Sequence, residues 1–166
     1  MHARPLAVML LSFAASGALA LDVGDRLPTI ETTRWLNSAP LTAEALAGKV
    51  VLVEFWTYGC WNCRNVEPYV QAWHRRYREQ GLVVIGVHTP EFEHEARLEN
   101  VVAYLRKSGV SNPVAIDNDF SNWKRFENRF WPALYLRDRM GKLRYVHFGE
   151  GRYRETEAAI RALLGE

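Results

Sequence analysis

The amino-acid sequence predicts an α/β fold in which helices flank a central mixed β-sheet. Two continuous runs of β-branched and aromatic residues, at 50–56 and 82–88, are typical of strands buried on both faces. A segment with helical periodicity follows each run, which is the order expected for parallel strands joined by crossover helices. Near the C-terminus, two further strand patterns lie on either side of a turn that ends at Gly141, which predicts an antiparallel hairpin.

Local signals along the chain justify the individual elements. Thr42 is a candidate N-cap for a short helix that Gly48 ends. In the longest helix, Val66, Val70 and Trp73 lie on one apolar stripe. The predicted elements, in order, are an extended arm over 21–40, a helix over 43–47, a strand over 50–56, a helix over 61–80, a strand over 82–88, a helix over 93–107, a strand over 113–116, a helix over 119–130, strands over 133–137 and 142–148, and a helix over 155–164.

Composition excludes several classes of protein. The 166 residues include 21 Lys or Arg and 19 Asp or Glu, and a formal charge of +2 is too balanced for an electrostatic nucleic-acid binder. Hydrophobic residues make up 48% of the chain, as in globular domains. Two cysteines can build neither a disulfide scaffold nor a four-thiolate metal site.

The first twenty residues have the three parts of a secretory signal peptide. Arg4 gives a basic start, residues 6–15 form an apolar run, and Ala18-Leu19-Ala20 ends the segment. The apolar run is short for a membrane span, which needs about 20 residues. We expect cleavage after Ala20, so that residues 21–166 form one exported, periplasmic or otherwise extracytoplasmic domain without stable membrane insertion. An uncleaved anchor is the alternative.

Cys60 and Cys63 stand where the first long strand meets its helix. Cys60 falls at the helix N-terminus, where unpaired N–H groups and the helix dipole favour a thiolate and lower a cysteine pKa from ~8.5. Cys63 follows one turn later and lies deeper, which suits an outer attacking sulfur and a sheltered resolving sulfur. A bond between them closes a small loop worth only roughly 2 kcal/mol of chain entropy. Reversible redox chemistry without a bound cofactor is therefore favoured over a structural disulfide.

Metal binding is an alternative use of the same two thiols. A copper-binding metallochaperone would need a further ligand beside Cys60 and Cys63, and histidine is the natural candidate. No histidine of the mature chain stands at a ligand spacing from the pair or from another histidine, so no metal ligand is assigned. The histidines concerned are His74, His88, His94 and His147.

Glu54 is an acid inside an otherwise apolar strand. A buried, unpaired carboxylate is costly, and burial raises its pKa into a range useful for proton transfer. We expect Glu54, directly or through water, to deprotonate Cys63 when a mixed disulfide is resolved. The alternative is a partly hydrated Glu at the edge of the sheet.

These residues resemble the thioredoxin fold. The matching features are the strand ending at Trp56, the motif Cys60-x-x-Cys63, Glu54 six residues before the first cysteine, Pro68 five after the second, and Trp131-Pro132 before a strand. The leader and the extra helix and strand between His88 and Asp117 look like the TlpA-type branch. Segments 56–63, 86–91, 128–133 and 148–151 are similar to the thioredoxin-like domain of DipZ-type proteins.

The resemblance implies both a fold and an activity. The fold is thioredoxin-like, with a helix–strand insertion between the second core strand and the helix that precedes a cis-proline. Pro132 takes the place of that cis-proline and faces the cysteine pair. The activity is thiol–disulfide oxidoreduction with protein thiols and disulfides as partners, as a reductase supplied by a separate membrane electron donor of the CcdA or DsbD type. Trp61-Asn62 replaces the Gly-Pro of general thioredoxins, so their redox potential does not transfer.

Aromatic residues surround the inferred chemistry. We expect Trp56, Trp123 and Phe126 in the core, whereas Tyr58, Trp61 and Trp131 would bind substrate peptides by apolar burial.

A peroxide-reducing enzyme is the second class considered. Thr57-x-x-Cys60 is similar to the Thr-x-x-Cys motif of peroxiredoxins, but Val53 stands where that motif has proline. Such an enzyme would use Cys60 through a sulfenic acid.

Overall fold

The computed structural model describes residues 21–166, and the predicted signal peptide at 1–20 lies outside the described residues. The strands are β1 (Trp35–Leu36), β2 (Val50–Trp56), β3 (Leu82–His88), β4 (Val114–Ile116), β5 (Ala133–Arg137) and β6 (Leu143–Phe148). The helices are α1 (Trp61–Tyr77), α2 (Leu98–Ser108), α3 (Ser121–Arg125) and α4 (Tyr153–Leu164).

The strands form one six-stranded mixed sheet in the order β1-β4-β3-β2-β5-β6. Strand β2 runs parallel to β3 and antiparallel to β5, and β6 pairs antiparallel with β5. The pair α2 and β4 is the predicted insertion, with β4 added parallel to the outer side of β3. The fold class, including this insertion, is confirmed.

Strand β2 divides the core between the two faces of the sheet. All seven of its residues are buried, and successive side chains point to opposite faces. Val50 and Leu52 pack in a cluster that includes residues of α1 and α4. Val51, Val53 and Phe55 pack in a second cluster, to which the N-terminal arm contributes Leu27. Burial on both faces explains why the strand is apolar throughout rather than alternating.

Two of the predicted helices differ from the structure: one is absent and the other is shorter than predicted. Residues 43–47 form only turns, although Thr42 Oγ1 accepts from Ala45 N at 3.2 Å as a cap would. Residues 43–47 are mostly exposed, so little tertiary packing offsets the cost of helix nucleation. The helix predicted over 119–130 is limited to α3, since Phe126 closes it and Glu127 has a φ of +50°.

The helix predicted over 93–107 is divided in two. Residues Glu93–Ala96 form a 3-10 turn, Arg97 is extended, and α2 begins at Leu98. Glu95 is fully buried, and its carboxylate accepts backbone N–H groups of the preceding residues Glu91 and Phe92. The apolar periodicity of the sequence continues from 93 to 107 and so does not reveal this interruption. The Glu95 carboxylate binds N–H groups that precede it in the chain, which holds residues 93–96 in a separate turn.

The N-terminal arm pairs with the core. Strand β1 lies antiparallel to β4, and Arg26 forms an isolated bridge with Lys142 at the other side of the sheet. Within residues 21–166, no helix combines the length and the apolar character that crossing a membrane requires.

Candidate active site

Cys60 and Cys63 form a disulfide across the first turn of α1. Cys60 is the N-cap residue, and its Sγ accepts a hydrogen bond from the backbone N–H of Cys63 at 3.2 Å. Cys60 is half-buried, whereas Cys63 is 3% exposed and packs in a core cluster with Trp56. The outer sulfur therefore lies beside unpaired N–H groups that stabilise an anion.

A buried carboxylate holds the loop that precedes the disulfide. Glu95 Oε1 accepts from Gly59 N at 2.8 Å, and Glu95 Oε2 accepts from Glu91 N at 2.7 Å and Phe92 N at 3.0 Å. A Cβ on Gly59 would collide with Glu95 Oε1, so glycine is required for this close approach. The insertion after β3 is thereby fastened to the residue adjacent to Cys60.

His88 lies beneath the same loop and is fully buried. Its Nε2 lies 3.3 Å from Thr57 Oγ1, and its Nδ1 has no hydrogen-bond partner among the described residues. Tyr58 stacks on the imidazole with ring centroids 5.8 Å apart and donates its hydroxyl to the backbone oxygen of His94 at 3.0 Å. Burial lowers the pKa of His88 to about 4, against the opposing attraction of Glu95, so the ring is neutral near pH 7.

Glu54 lies in the middle of β2 and is 6% exposed, which excludes the partly hydrated edge position. Burial, and to a lesser extent the charge of Glu67, raises its pKa to about 8. Glu54, Glu67 and Cys63 line one small cavity of about 10 Å³. This is close to the smallest space that holds a water molecule. The side chains of Glu54 and Cys63 therefore face one common space.

Glu67 was not predicted from the sequence. It lies on α1, half-buried, and accepts the Tyr104 hydroxyl at 2.8 Å. Burial raises the pKa of Glu67 also. Two carboxyl groups beside one cavity disfavour a double negative charge, so a proton in the pair is retained to higher pH. The sequence signal available was weak, because an acid on an amphipathic helix is usually solvated.

The Trp131–Pro132 peptide bond is cis, as the resemblance implies, and Pro132 is buried. Trp131 packs in the same cluster as Cys60 and Cys63. Its Nε1 donates to Thr89 O at 3.1 Å, and its ring lies 4.1 Å from that of Trp123. Trp131 is consequently half-buried and fixed in orientation.

The predicted substrate-binding aromatics differ in exposure. Trp61 is 69% exposed, with the Arg64 guanidinium 5.2 Å from its ring centroid, whereas Tyr58 is half-buried by its stacking contacts. Phe130 and Phe148 are 52% and 47% exposed, and their centroids lie 5.4 Å apart next to the cis-proline segment. Phe148 was not predicted, because its pairing with Ala133 depends on the register of β5 and β6.

The predicted core aromatics are also divided. Trp56 and Phe126 are buried, whereas Trp123 is half-buried against Phe55 and Trp131.

Across residues 21–166, no group of three or more His, Cys, Asp or Glu side chains has the geometry to hold a metal ion.

The arrangement supports one kind of chemistry directly. The two sulfurs lie within a single helical turn with Cα atoms 5.3 Å apart, a separation that a disulfide spans without displacement of the backbone. The position of this disulfide, between the end of a central strand and the start of α1, defines the class as thioredoxin-like proteins with a Cys-x-x-Cys disulfide.

The family is the AhpC/TSA family. Residues 23–146 match its model, and the chain belongs to it. The protein DipZ of Mycobacterium bovis is 42% identical over 160 residues, which are 94% of this chain and 23% of DipZ. The chain thus spans about a quarter of the length of that relative. Thiol-disulfide oxidoreductase YkuV of Bacillus subtilis is 27% identical over 132 residues, which are 80% of this chain and 88% of YkuV.

Solved structures confirm the thioredoxin-like fold. A thiol-disulfide isomerase from Corynebacterium glutamicum has a TM-score of 0.73 and 30% identity, covering 89% of this chain and 96% of its own. The thioredoxin-like superfamily protein SPOA0173 has a TM-score of 0.78 and 29% identity, covering 87% of this chain and 98% of its own.

Proposed function

We propose that this protein is an exported reductase that exchanges disulfides with protein substrates through Cys60 and Cys63. In the reduced protein, the Cys60 thiolate attacks a substrate disulfide, forms a mixed disulfide and releases one substrate thiolate. Cys63 then loses its proton and attacks Cys60 Sγ, which releases the second substrate thiol and closes the Cys60–Cys63 bond. Two electrons pass to the substrate, and no bound cofactor is needed.

The observation that carries the proposal is the unequal placement of the two sulfurs. Cys60 caps α1 and is accessible in part, while Cys63 is buried one turn later. A substrate disulfide can therefore reach Cys60 but not Cys63. In the reduced state, the Cys63 N–H that points at Cys60 Sγ would stabilise the leaving or attacking thiolate.

Glu54 is proposed as the base for the resolving step. It lines the same cavity as Cys63, and its pKa of about 8 matches a proton transfer near neutral pH. Glu67 lines the same cavity, and its negative charge helps Glu54 to retain a proton.

Export and electron supply are part of the proposal. Residues 1–20 would direct export and be removed, which leaves a domain at 21–166. Reduction in an oxidising compartment needs a continuous electron source. A membrane donor of the CcdA or DsbD type would reduce the Cys60–Cys63 bond.

Two variants test the exchange mechanism. Cys60→Ser should abolish the acceleration of insulin reduction that the protein gives in the presence of dithiothreitol, whereas Cys63→Ser should accumulate mixed disulfides with natural clients in the exported fraction. Arg75→Gln, an exposed change further along α1, is the matched control and should retain turnover. Acceleration of insulin reduction by Cys60→Ser equal to that of the unmodified protein would overturn the proposal. Rapid peroxide consumption by the reduced protein, with a trapped Cys60 sulfenate, would assign a peroxidase instead.

A further inference from the structure

A second cavity lies on the face of the sheet opposite α1. Its volume is about 280 Å³, and its floor is formed by the buried side chains of Val51, Val53 and Ile85. The half-buried residues Leu41 and Leu46 of the N-terminal arm form part of its wall. An apolar cavity of roughly 150 Å³ admits benzene, so about twice that volume admits a ligand of roughly ten to twelve non-hydrogen atoms. The floor and wall suit an aliphatic chain.

Three arginines, Arg26, Arg137 and Arg139, also line this cavity, and no acidic residue does. Arg26 and Arg139 are exposed, and Arg137 is half-buried. The guanidinium groups of Arg26 and Arg137 both approach the position that a Cβ on Gly141 would occupy. The cavity therefore combines an apolar interior with a strongly cationic rim.

The arginine charges are not neutralised by the part of the chain that the structure describes. None of the three forms an ion pair there, and Asp138, the neighbour of Arg137, binds Arg144 at 2.7 Å instead. Arg137 donates to Leu46 O, and Arg139 donates to Gly48 O and Leu164 O, which leaves most of their ten N–H donors available. Burial, and then the charge of Arg26, lowers the pKa of Arg137, and the charge of Asp138 opposes this shift only in part.

We infer that this cavity is a binding site for a small amphipathic anion, a carboxylate with a single alkyl chain of medium length. The chain would lie against Val51, Val53 and Ile85, and the carboxylate would accept hydrogen bonds from Arg26 and Arg137 at the rim. Arginine is suited to this role because its planar fork can bind a carboxylate through two parallel bonds. The site lies on the other face of β2 from Glu54 and Cys63, so it is independent of the proposed redox function.

Titration calorimetry and backbone NMR shifts with octanoate test the inference. Octanoate should bind one to one, with shifts confined to the arm and to β2, β3 and the β5–β6 turn. Octanol tests the need for charge, and acetate tests the need for the chain; each should bind at least tenfold more weakly. The redox-inactive variant Cys60→Ser should bind octanoate as the unmodified protein does, which separates this site from the exchange chemistry.

Arginine variants locate the anion. Arg26→Gln changes an exposed residue of the arm and should weaken octanoate binding about tenfold or more, which is the loss of one charge-assisted contact. Arg137→Gln should have at least as large an effect, while Arg97→Gln, an exposed arginine away from the cavity, should have none. Binding that survives Arg26→Gln and Arg137→Gln unchanged, equal binding of octanol, or no shift at the cavity with millimolar octanoate would each overturn the inference.

Discussion

The carboxylate of Glu95 accepts a hydrogen bond from the backbone N–H of Gly59 at 2.8 Å, although the two residues stand 36 positions apart in the chain. Gly59 immediately precedes Cys60, so a buried carboxylate lies close to the sulfur that would carry negative charge in the reduced protein. The insertion after β3 therefore fixes the backbone of the residue that precedes Cys60.

Replacing this carboxylate should make the disulfide easier to reduce. Glu95→Gln removes a negative charge near Cys60, which favours the thiolate and thus the reduced form. We expect the reduction potential to rise by about 30 mV, equivalent to 1.4 kcal/mol. Equilibration with glutathione redox buffers measures the change. Glu99→Gln, on the exposed side of α2, is the control, and an unchanged potential in Glu95→Gln would exclude an electrostatic role.

The close approach at Gly59 makes a second prediction. Gly59→Ala places a Cβ against Glu95 Oε1 and should reduce the free energy of unfolding by about 1–3 kcal/mol. In the double variant Gly59→Ala, Glu95→Ala, the collision is absent, so the two losses should fail to add by about 0.5 kcal/mol or more. Urea denaturation of the single and double variants measures both quantities. Strict additivity would show that the two residues do not interact.

Glu54 should make stability depend on pH. Its pKa is raised to about 8 in the folded protein, so between pH 4.5 and 8 the folded state holds a proton that the unfolded state has lost. Its contribution to stability is therefore complete below pH 4.5 and is lost as pH rises through about 8. Between pH 6.5 and about 8 the oxidised wild-type protein should lose stability with pH, whereas Glu54→Gln should have a smaller slope when unfolding is measured by urea denaturation. An equal slope in both proteins would contradict the assignment.

The same residue should affect catalysis. Glu54→Gln cannot accept the proton of Cys63, so resolution of the mixed disulfide should slow by about 10²-fold, the lower end for general base catalysis. Stopped-flow release of a fluorescent substrate thiol measures this step. If Glu54→Gln turns over as fast as the unmodified protein from pH 6 to 9, Glu54 has no part in the mechanism.

His88 should make the protein less stable as pH falls, whereas Glu54 makes it less stable as pH rises. Its pKa falls to about 4 on folding, so between pH 4 and 6.5 the unfolded state binds the extra proton. The contribution of His88 to stability is present above pH 6.5 and is lost as pH falls through about 4. His88→Phe retains an aromatic ring for Tyr58 and should remove this loss in acid denaturation. His94→Phe, at an exposed position, should leave it intact.

Part of this protein can be predicted from the sequence alone. The bounds of β2, β3 and β5 agree with the prediction, because buried strands require continuous apolar runs that are visible locally. The cysteine pair at the start of α1 follows equally from local order, since a strand pattern changes to a helical pattern at that point.

The tertiary structure alone decides the environment of these elements. A backbone N–H group leaves no mark in the sequence. That of Gly59 becomes the donor to Glu95 only when the chain folds back. The arginines of the second cavity come from the arm and from the β5–β6 turn, and their shared rim depends on packing between distant segments. Periodicity reports whether a side chain is buried, but the partner that satisfies or fails to satisfy a buried charge is set by three-dimensional proximity.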